Sequence, residues 1–219
     1  MMRPLLKYCG NKSEADLAVT VASEADYLGF VFVPGTKREV DPDHVKAWLD
    51  RNPVSDKKLV ALFVNEQSAT IHDICKKLPI DVIQCHGNES PEFVTEIKRT
   101  TGKKVWKVIH HHSEGMVEMR RYDAIADGYI IDAKVEGQWG GTGKTFDWDC
   151  IPAYIKEGKR QSVPVFIAGG VDASNIQKLS DYDPDGIDLS SGIEIDGTKS
   201  QQAIKRLEKE LYRRDNSIS

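Results

Sequence analysis

The residues with chemistry to offer begin with a thiol. Cys9 ends the apolar run "LLKYC", residues 5 to 9, and Gly10 follows at once. A glycine there signals a sharp turn or the close approach of another group. Strand alternation puts Lys7 and Cys9 on one face, where a neighbouring ammonium favours the thiolate, the reactive form. That help matters, because an ordinary thiol of pKa ~8.5 is only ~3% ionised at pH 7. The competing reading is a small buried hydrophobe, the commoner fate of a free cysteine, and the place of Cys9 in the fold decides between them.

A carboxyl group at another strand end would complete an acid–base pair. Asp132 closes "YIID" after apolar neighbours, a poor place for an ionisable group unless it acts chemically or caps a loop. Gln84 and His86 stand in "IQCHG" and Asp188 in "GIDLS". Each is a candidate ligand contact or a satisfied buried polar group. "IAGGV" supplies Gly169 and Gly170, and "LSSGIE" supplies Ser191 and Gly192. Glycines let backbone N–H groups converge on an anion such as phosphate, and a helix start adds favourable partial charge.

Two stretches mislead. "GQWGGTGKT" imitates a nucleotide-cradling loop, but Gln138 occupies the position where that motif requires glycine. It reads better as a glycine-rich lid, with Gly141, Thr142 and Gly143 at its centre, able to fold over a bound ligand. "HHH" (His110, His111, His112) invites a metal, yet adjacent residues of an extended chain alternate faces and cannot all converge. These are expected to be surface or loop histidines, and no metal is expected.

Such residues need a scaffold that sets strand ends side by side. Eight runs rich in Val, Ile and Leu recur, at 5–9, 27–33, 58–64, 80–85, 103–109, 128–133, 163–168 and 186–190. Polar and amphipathic stretches separate them, several with helix-start signals: Ser13, Asp41 before Pro42, and Ser90 before Pro91. The last stretch carries Ala203, Ile204, Leu207 and Leu211 at helical spacing. Eight strand–helix units without a linker predict an α/β fold, one (β/α)8 TIM-barrel domain over residues 1–219, with an open doubly wound sheet as the alternative. In such barrels the site lies at the C-terminal strand ends, and the loops after the seventh and eighth strands commonly hold phosphate. Cys9, Asp132 and both glycine-rich loops then share one rim.

Composition excludes other classes. The 30 Lys and Arg against 34 Asp and Glu give a net charge of −4, and the dibasic pairs are scattered rather than clustered, unlike a nucleic-acid footprint. No apolar run nears the ~18 residues of a membrane span, and "MMRPLLK" lacks the apolar stretch of a signal peptide. Four cysteines without a C-x-x-C pair suit free thiols in a reducing compartment. A cytoplasmic protein, monomer or homodimer, without nucleic-acid or membrane partners is expected.

In order and spacing, "LKYCG", "LGFVF", "KREV", "VIQCHG", "IIDA", "GGTGKTFDW", "FIAGGV" and "IDLSSGIE" closely resemble the phosphoribosylanthranilate isomerases of tryptophan biosynthesis. The likeness runs from about residue 5 to residue 210. It implies a (β/α)8 barrel and an Amadori rearrangement without cofactor, converting N-(5-phosphoribosyl)anthranilate to 1-(2-carboxyphenylamino)-1-deoxyribulose 5-phosphate. It also implies Cys9 as general base, Asp132 as general acid, Arg38 as the contact to the anthranilate carboxylate, and phosphate on the Gly169–Gly170 and Ser191–Gly192 backbone. Lys7 is then expected to find its strongest partner somewhere other than Asp132, since an ammonium there would oppose the protonated acid. Tyr8, where isoleucine is common, Pro34-Gly35-Thr36 and "DGTKS" depart from the family pattern. Rival readings are another phosphosugar isomerase or synthase of the phosphate-binding barrels, and a non-catalytic barrel that binds a phosphorylated ligand.

Overall fold

The computed structural model describes residues 3–132 and 148–213. Strand and helix alternate along the first half as β1 (Leu5–Cys9), α1 (Glu14–Val21), β2 (Tyr27–Val31), α2 (Pro42–Arg51), β3 (Lys58–Phe63), α3 (Ser68–Lys77), β4 (Val82–Cys85) and α4 (Pro91–Thr101). The second half continues with β5 (Lys104–His110), α5 (Gly115–Arg120), β6 (Gly128–Asp132), α6 (Ile151–Gln161), β7 (Val165–Ala168), α7 (Ile176–Ser180) and β8 (Gly186–Leu189). A 3-10 turn (Ser191–Ile193) and a small hairpin, β9 (Glu194–Ile195) with β10 (Thr198–Lys199), precede α8 (Gln201–Leu211). Strands β1 to β8 are parallel neighbours in sequence order, and β8 closes back on β1 with Lys7 opposite Asp188. Closure excludes the open sheet.

Helix starts follow the expected chemistry. The Ser13 hydroxyl accepts from Asp16 N, the Asp41 carboxylate from Asp43 N and His44 N, and Ser90 from Phe93 N, satisfying amide groups that a helix leaves unpaired. A further device ties the strands in pairs. Asp26, Asp81, Asp127 and Asp185 each precede an even-numbered strand, and their carboxylates accept the amide N–H of Leu6, Leu59, Val105 and Val165 on the preceding odd-numbered one, at 2.8 to 2.9 Å. The barrel thus repeats one bond four times around its base.

Alternation sorts the β1 side chains as expected. Leu6 and Tyr8 join the apolar layer beneath the helices, whereas Cys9 packs against Val31 and Leu62. The Tyr8 hydroxyl donates to Glu208 Oε1 at 2.9 Å, so this departure from the family pattern bonds to the last helix rather than to the site. Inside the barrel, Trp106 and Phe166 pack with ring centroids 4.7 Å apart and Tyr27 sits 4.9 Å from Trp106. These aromatic rings, joined by Val60, Val82 and Ile130, exclude water from the interior.

Some boundaries differ from expectation. The second strand ends at Val31 rather than 33, and Thr36 turns back to bond Val33 O. The fifth extends to His110, so the reading of three surface or loop histidines fails at that residue. His110 is half-buried at a strand end, while His112 is exposed.

Candidate active site

The turn after β1 fixes the thiol. Gly10 N and Asn11 N both donate to Gly29 O, at 3.0 and 3.1 Å. The buried Asn11 amide adds bonds to Tyr8 O and Gly29 O, and its oxygen accepts from the Thr20 hydroxyl. Gly29 makes room for sulfur, since a Cβ there would stand 2.8 Å from Cys9 Sγ. Gly10 answers both expectations made of it. Its φ is +78°, in the left-handed region that glycine alone enters cheaply, and a Cβ on it would collide with Arg38 Cδ. Elsewhere burial makes thiols poor reagents, pushing Cys85 well up and Cys75 to about 11.

Lys7 is fully buried, and its ammonium donates to Asp188 Oδ1 at 2.8 Å. Burial opposes the charge, but the Asp188 carboxylate and the neighbouring Cys9 outweigh it and raise the Lys7 pKa above the ordinary lysine value. Burial likewise raises Asp188, against the pull of Lys7 and with the help of the nearby Asp132 charge. The expectation that Lys7 finds its main partner away from Asp132 holds.

Three side chains converge at the ends of β4, β5 and β6. Gln84 Nε2 lies 3.0 Å from His86 Nδ1, and His86 Nε2 lies 3.6 Å from Asp132 Oδ2. His110 places its ring 5.3 Å from that of His86 and bonds His86 O through Nε2 at 3.1 Å. Burial first, then the adjacent His86, lowers the His110 pKa. Ligating atoms of His86, His110 and Asp132 all lie within 4.8 Å of one another. Among the described residues this trio offers three ligand atoms close enough to share one cation. Below it, Lys107 Nζ donates to Gly87 O at 2.6 Å and to Glu89 Oε2 at 3.2 Å, fixing the loop that carries His86.

Arg38 reaches across the mouth from the loop after β2. Its Nε and Nη2 donate to the two oxygens of Glu194, at 3.1 and 2.9 Å, and Lys199 Nζ donates to Glu194 Oε1 at 2.9 Å and to Ser190 O at 3.1 Å. Burial works against the Glu194 charge, but both cations hold its pKa below the ordinary carboxylate value. Burial lowers Lys199.

The two glycine-rich loops meet. Gly169 and Gly170 have φ of +96° and +66°, and Asn175 Nδ2 pins Gly170 O at 2.9 Å. A Cβ on Gly192 would collide with Val171 O, so the missing side chain is what lets the β8 loop lie on the β7 loop. The helix start expected there is a single 3-10 turn.

Cys9, Asp132, His86 and Asp188 line one cavity. Its wall continues through Arg38 on one side and through Gly169, Gly170 and Ser191 on the other. Gln84 is buried behind His86, and Gly192 shapes the rim through its contact with Val171 rather than by facing the cavity. The lid residues Gly141, Thr142 and Gly143 lie outside the described residues. Sequence reasoning missed Glu194, Lys199 and His110, although the first lies inside the quoted "LSSGIE" and the second inside "DGTKS". Among the described residues, no helix is long and apolar enough to cross a membrane.

A closed eight-stranded parallel barrel that gathers a thiol, a carboxyl group and two glycine-rich loops at one rim has the build of a (β/α)8-barrel enzyme. Comparison with known proteins narrows this class. The family model for N-(5'-phosphoribosyl)anthranilate isomerase matches residues 6–210, and the chain belongs to that family. It is 50% identical over 218 residues to the N-(5'-phosphoribosyl)anthranilate isomerase of Halalkalibacterium halodurans, covering 100% of both chains. The crystal structure of phosphoribosyl anthranilate isomerase from Thermotoga maritima superposes with a TM-score of 0.83 at 28% identity, over 95% of this chain and 98% of that one. A further phosphoribosyl anthranilate isomerase structure, in complex with reduced 1-(o-carboxyphenylamino)-1-deoxyribulose 5-phosphate, gives a TM-score of 0.80 at 26% identity, over 95% and 98% of the two chains.

Proposed function

We propose that Cys9 and Asp132 are the base and acid with which this chain carries out the isomerisation of N-(5-phosphoribosyl)anthranilate in tryptophan biosynthesis. The observation that supports the pairing is their presence on one cavity, at the ends of β1 and β6. Asp132 protonates the ribose ring oxygen, and the anilino nitrogen lone pair expels it, opening the ring to an iminium. The positive nitrogen acidifies the proton on carbon 2, which the Cys9 thiolate removes to leave an enolamine. Loss of the enol proton and protonation of carbon 1 then give the keto product, 1-(2-carboxyphenylamino)-1-deoxyribulose 5-phosphate. Atoms balance without an external oxidant or reductant.

The surrounding groups have supporting roles. Gln84 orients His86, and His86 with Asp188 borders the sugar. Arg38 offers its fork to the anthranilate carboxylate, and the backbone of Gly169, Gly170, Ser191 and Gly192 receives the phosphate. The chain works in the cytoplasm on a small phosphorylated substrate. Anthranilate adducts change emission on rearrangement, so a fluorescence progress curve with N-(5-phosphoribosyl)anthranilate tests the reading. Turnover that vanishes in Cys9→Ala supports it. Binding without turnover by the unaltered chain would leave a phosphate-ligand-binding barrel, and turnover of a different phosphosugar alone would leave a related isomerase.

A further inference from the structure

We propose that Glu194 is the positioning residue of the carboxylate subsite, holding the Arg38 fork in one orientation so that its outer edge meets the substrate. The inference rests on the reading of Arg38 as the contact to the anthranilate carboxylate and extends it to a residue with no role assigned so far.

The geometry of the guanidinium carries the argument. A guanidinium has two edges suited to a carboxylate, one formed by Nε with one terminal nitrogen and one formed by the two terminal nitrogens. Glu194 occupies the first edge through Nε and Nη2, at 3.1 and 2.9 Å. Among the described residues no hydrogen bond is made through Nη1, and the second edge, which it forms with Nη2, is the one offered to a ligand. Arg38 borders the cavity that holds Cys9, and its Cδ lies against Gly10, where no side chain could fit beneath it. Glycine below and carboxylate beside therefore leave the fork little rotational freedom, which lowers the entropy lost when a ligand binds.

Glu194 is itself held. Its side chain is 8% exposed, that of Lys199 is fully buried, and their 2.9 Å bond ties Glu194 on β9 to Lys199 on β10. Charges in the cluster sum to one net positive, two cations against Glu194, and one incoming carboxylate neutralises it. Removing Glu194 leaves the attraction but frees the fork to swing. Removing Lys199 leaves the fork but cancels the surplus charge. A carboxylate held between the guanidinium and the Lys199 ammonium thus acts through orientation rather than through contact with the reacting atoms.

The test is a double-mutant cycle of Arg38→Ala and Glu194→Gln, read by fluorescence kinetics with N-(5-phosphoribosyl)anthranilate and by competition with inorganic phosphate, a probe lacking the carboxyphenyl group. Glu194→Gln should raise KM about tenfold with kcat within about twofold, the signature of lost uniform binding, and leave the phosphate inhibition constant unchanged. In the Arg38→Ala background the same change should add less than about twofold, since interacting pairs are not additive. Glu194→Asp should recover part of the loss, and it replaces the amide in the cycle if that variant fails to fold. An unchanged KM in folded Glu194→Gln, or a full Glu194 effect persisting without Arg38, overturns the proposal while a defective Arg38→Ala keeps the Arg38 reading. An Arg38→Ala protein with unaltered kinetics removes both.

Discussion

Lys7 Nζ donates to Asp188 Oδ1 at 2.8 Å, with side chains 0% and 10% exposed, at the seam where β8 closes on β1. Removing one member of a buried pair strands the other charge, a cost of about 3–5 kcal/mol. Lys7→Met or Asp188→Asn should therefore lower Tm by roughly 6–20 °C in a chain of this size. The double variant Lys7→Met/Asp188→Leu should recover much of the loss, because well-packed apolar residues often replace such pairs at little cost. Calorimetry of the three proteins decides it. Single variants as stable as the parent would show that the pair contributes nothing to closure.

Cys9→Ser and Cys9→Ala should lose at least about a hundredfold in kcat, within the roughly 10²- to 10⁴-fold range of a positioned general base. Asp132→Asn should be comparably damaging, because an amide cannot deliver the proton that opens the ring. All three variants should still bind product analogue, since the proposed phosphate and carboxylate contacts lie elsewhere. A folded Cys9→Ala protein with near-parental turnover would return Cys9 to a small hydrophobe packed against Val31 and Leu62.

The number and order of strands were legible because most runs are rich in Val, Ile and Leu and are set off by polar, glycine or proline residues. Ser13, Asp41 and Ser90 were legible as caps because their side chains act locally, on amide groups two or three residues further on. Contacts that span the chain were not. Glu194 looks like a helix or turn carboxylate until β9 and β10 fold it against Lys199 and Arg38, 156 residues from the latter in sequence. His110 was misplaced for a related reason: alternation was applied to "HHH" as a whole, whereas β5 ends between His110 and His111, so one ring faces the site and its neighbours leave it. The four aspartates before the even strands, in "ADYL", "IDVI", "ADGY" and "PDGI", form a visible repeat whose meaning needs the sheet register.

Gly29→Ala should disable the thiol without touching it chemically. Its Cβ would stand 2.8 Å from Cys9 Sγ, well inside van der Waals contact, so sulfur or strand must move. Small misplacements of a reacting group cost up to about a hundredfold, and a fall of tenfold or more in kcat with a smaller change in KM is expected. A folded variant with unchanged kcat would mean that Sγ has room the packing does not suggest.

Inorganic phosphate should raise the apparent KM without changing kcat and should raise Tm, as a ligand that binds only the folded state does. Gly192→Ala should remove both effects, because its Cβ collides with Val171 O and separates the two glycine-rich loops. Phosphate that alters neither KM nor Tm would take the anion site away from these loops.

The last expectation concerns acid. Burial raises the cost of a charge on Glu194, but Arg38 and Lys199 overcome it and hold the folded-state pKa below the ordinary 4.5. Between 4.5 and that lower value the unfolded chain takes up a proton that the folded chain refuses, so stability falls as pH falls. The contribution is complete above 4.5 and gone once pH has dropped through the folded pKa. The two charged side chains that meet Glu194 are those of Arg38 and Lys199. Glu194→Gln should thus be less stable than the parent by about 1.5–3 kcal/mol at neutral pH, the range for hydrogen bonds to charged groups. That deficit should stay constant down to about pH 4.5 and shrink below it. Urea unfolding of the two proteins at matched pH values reads the gap directly, and a gap that stays constant into the acid range would mean that the carboxylate of Glu194 is not held by its two cations.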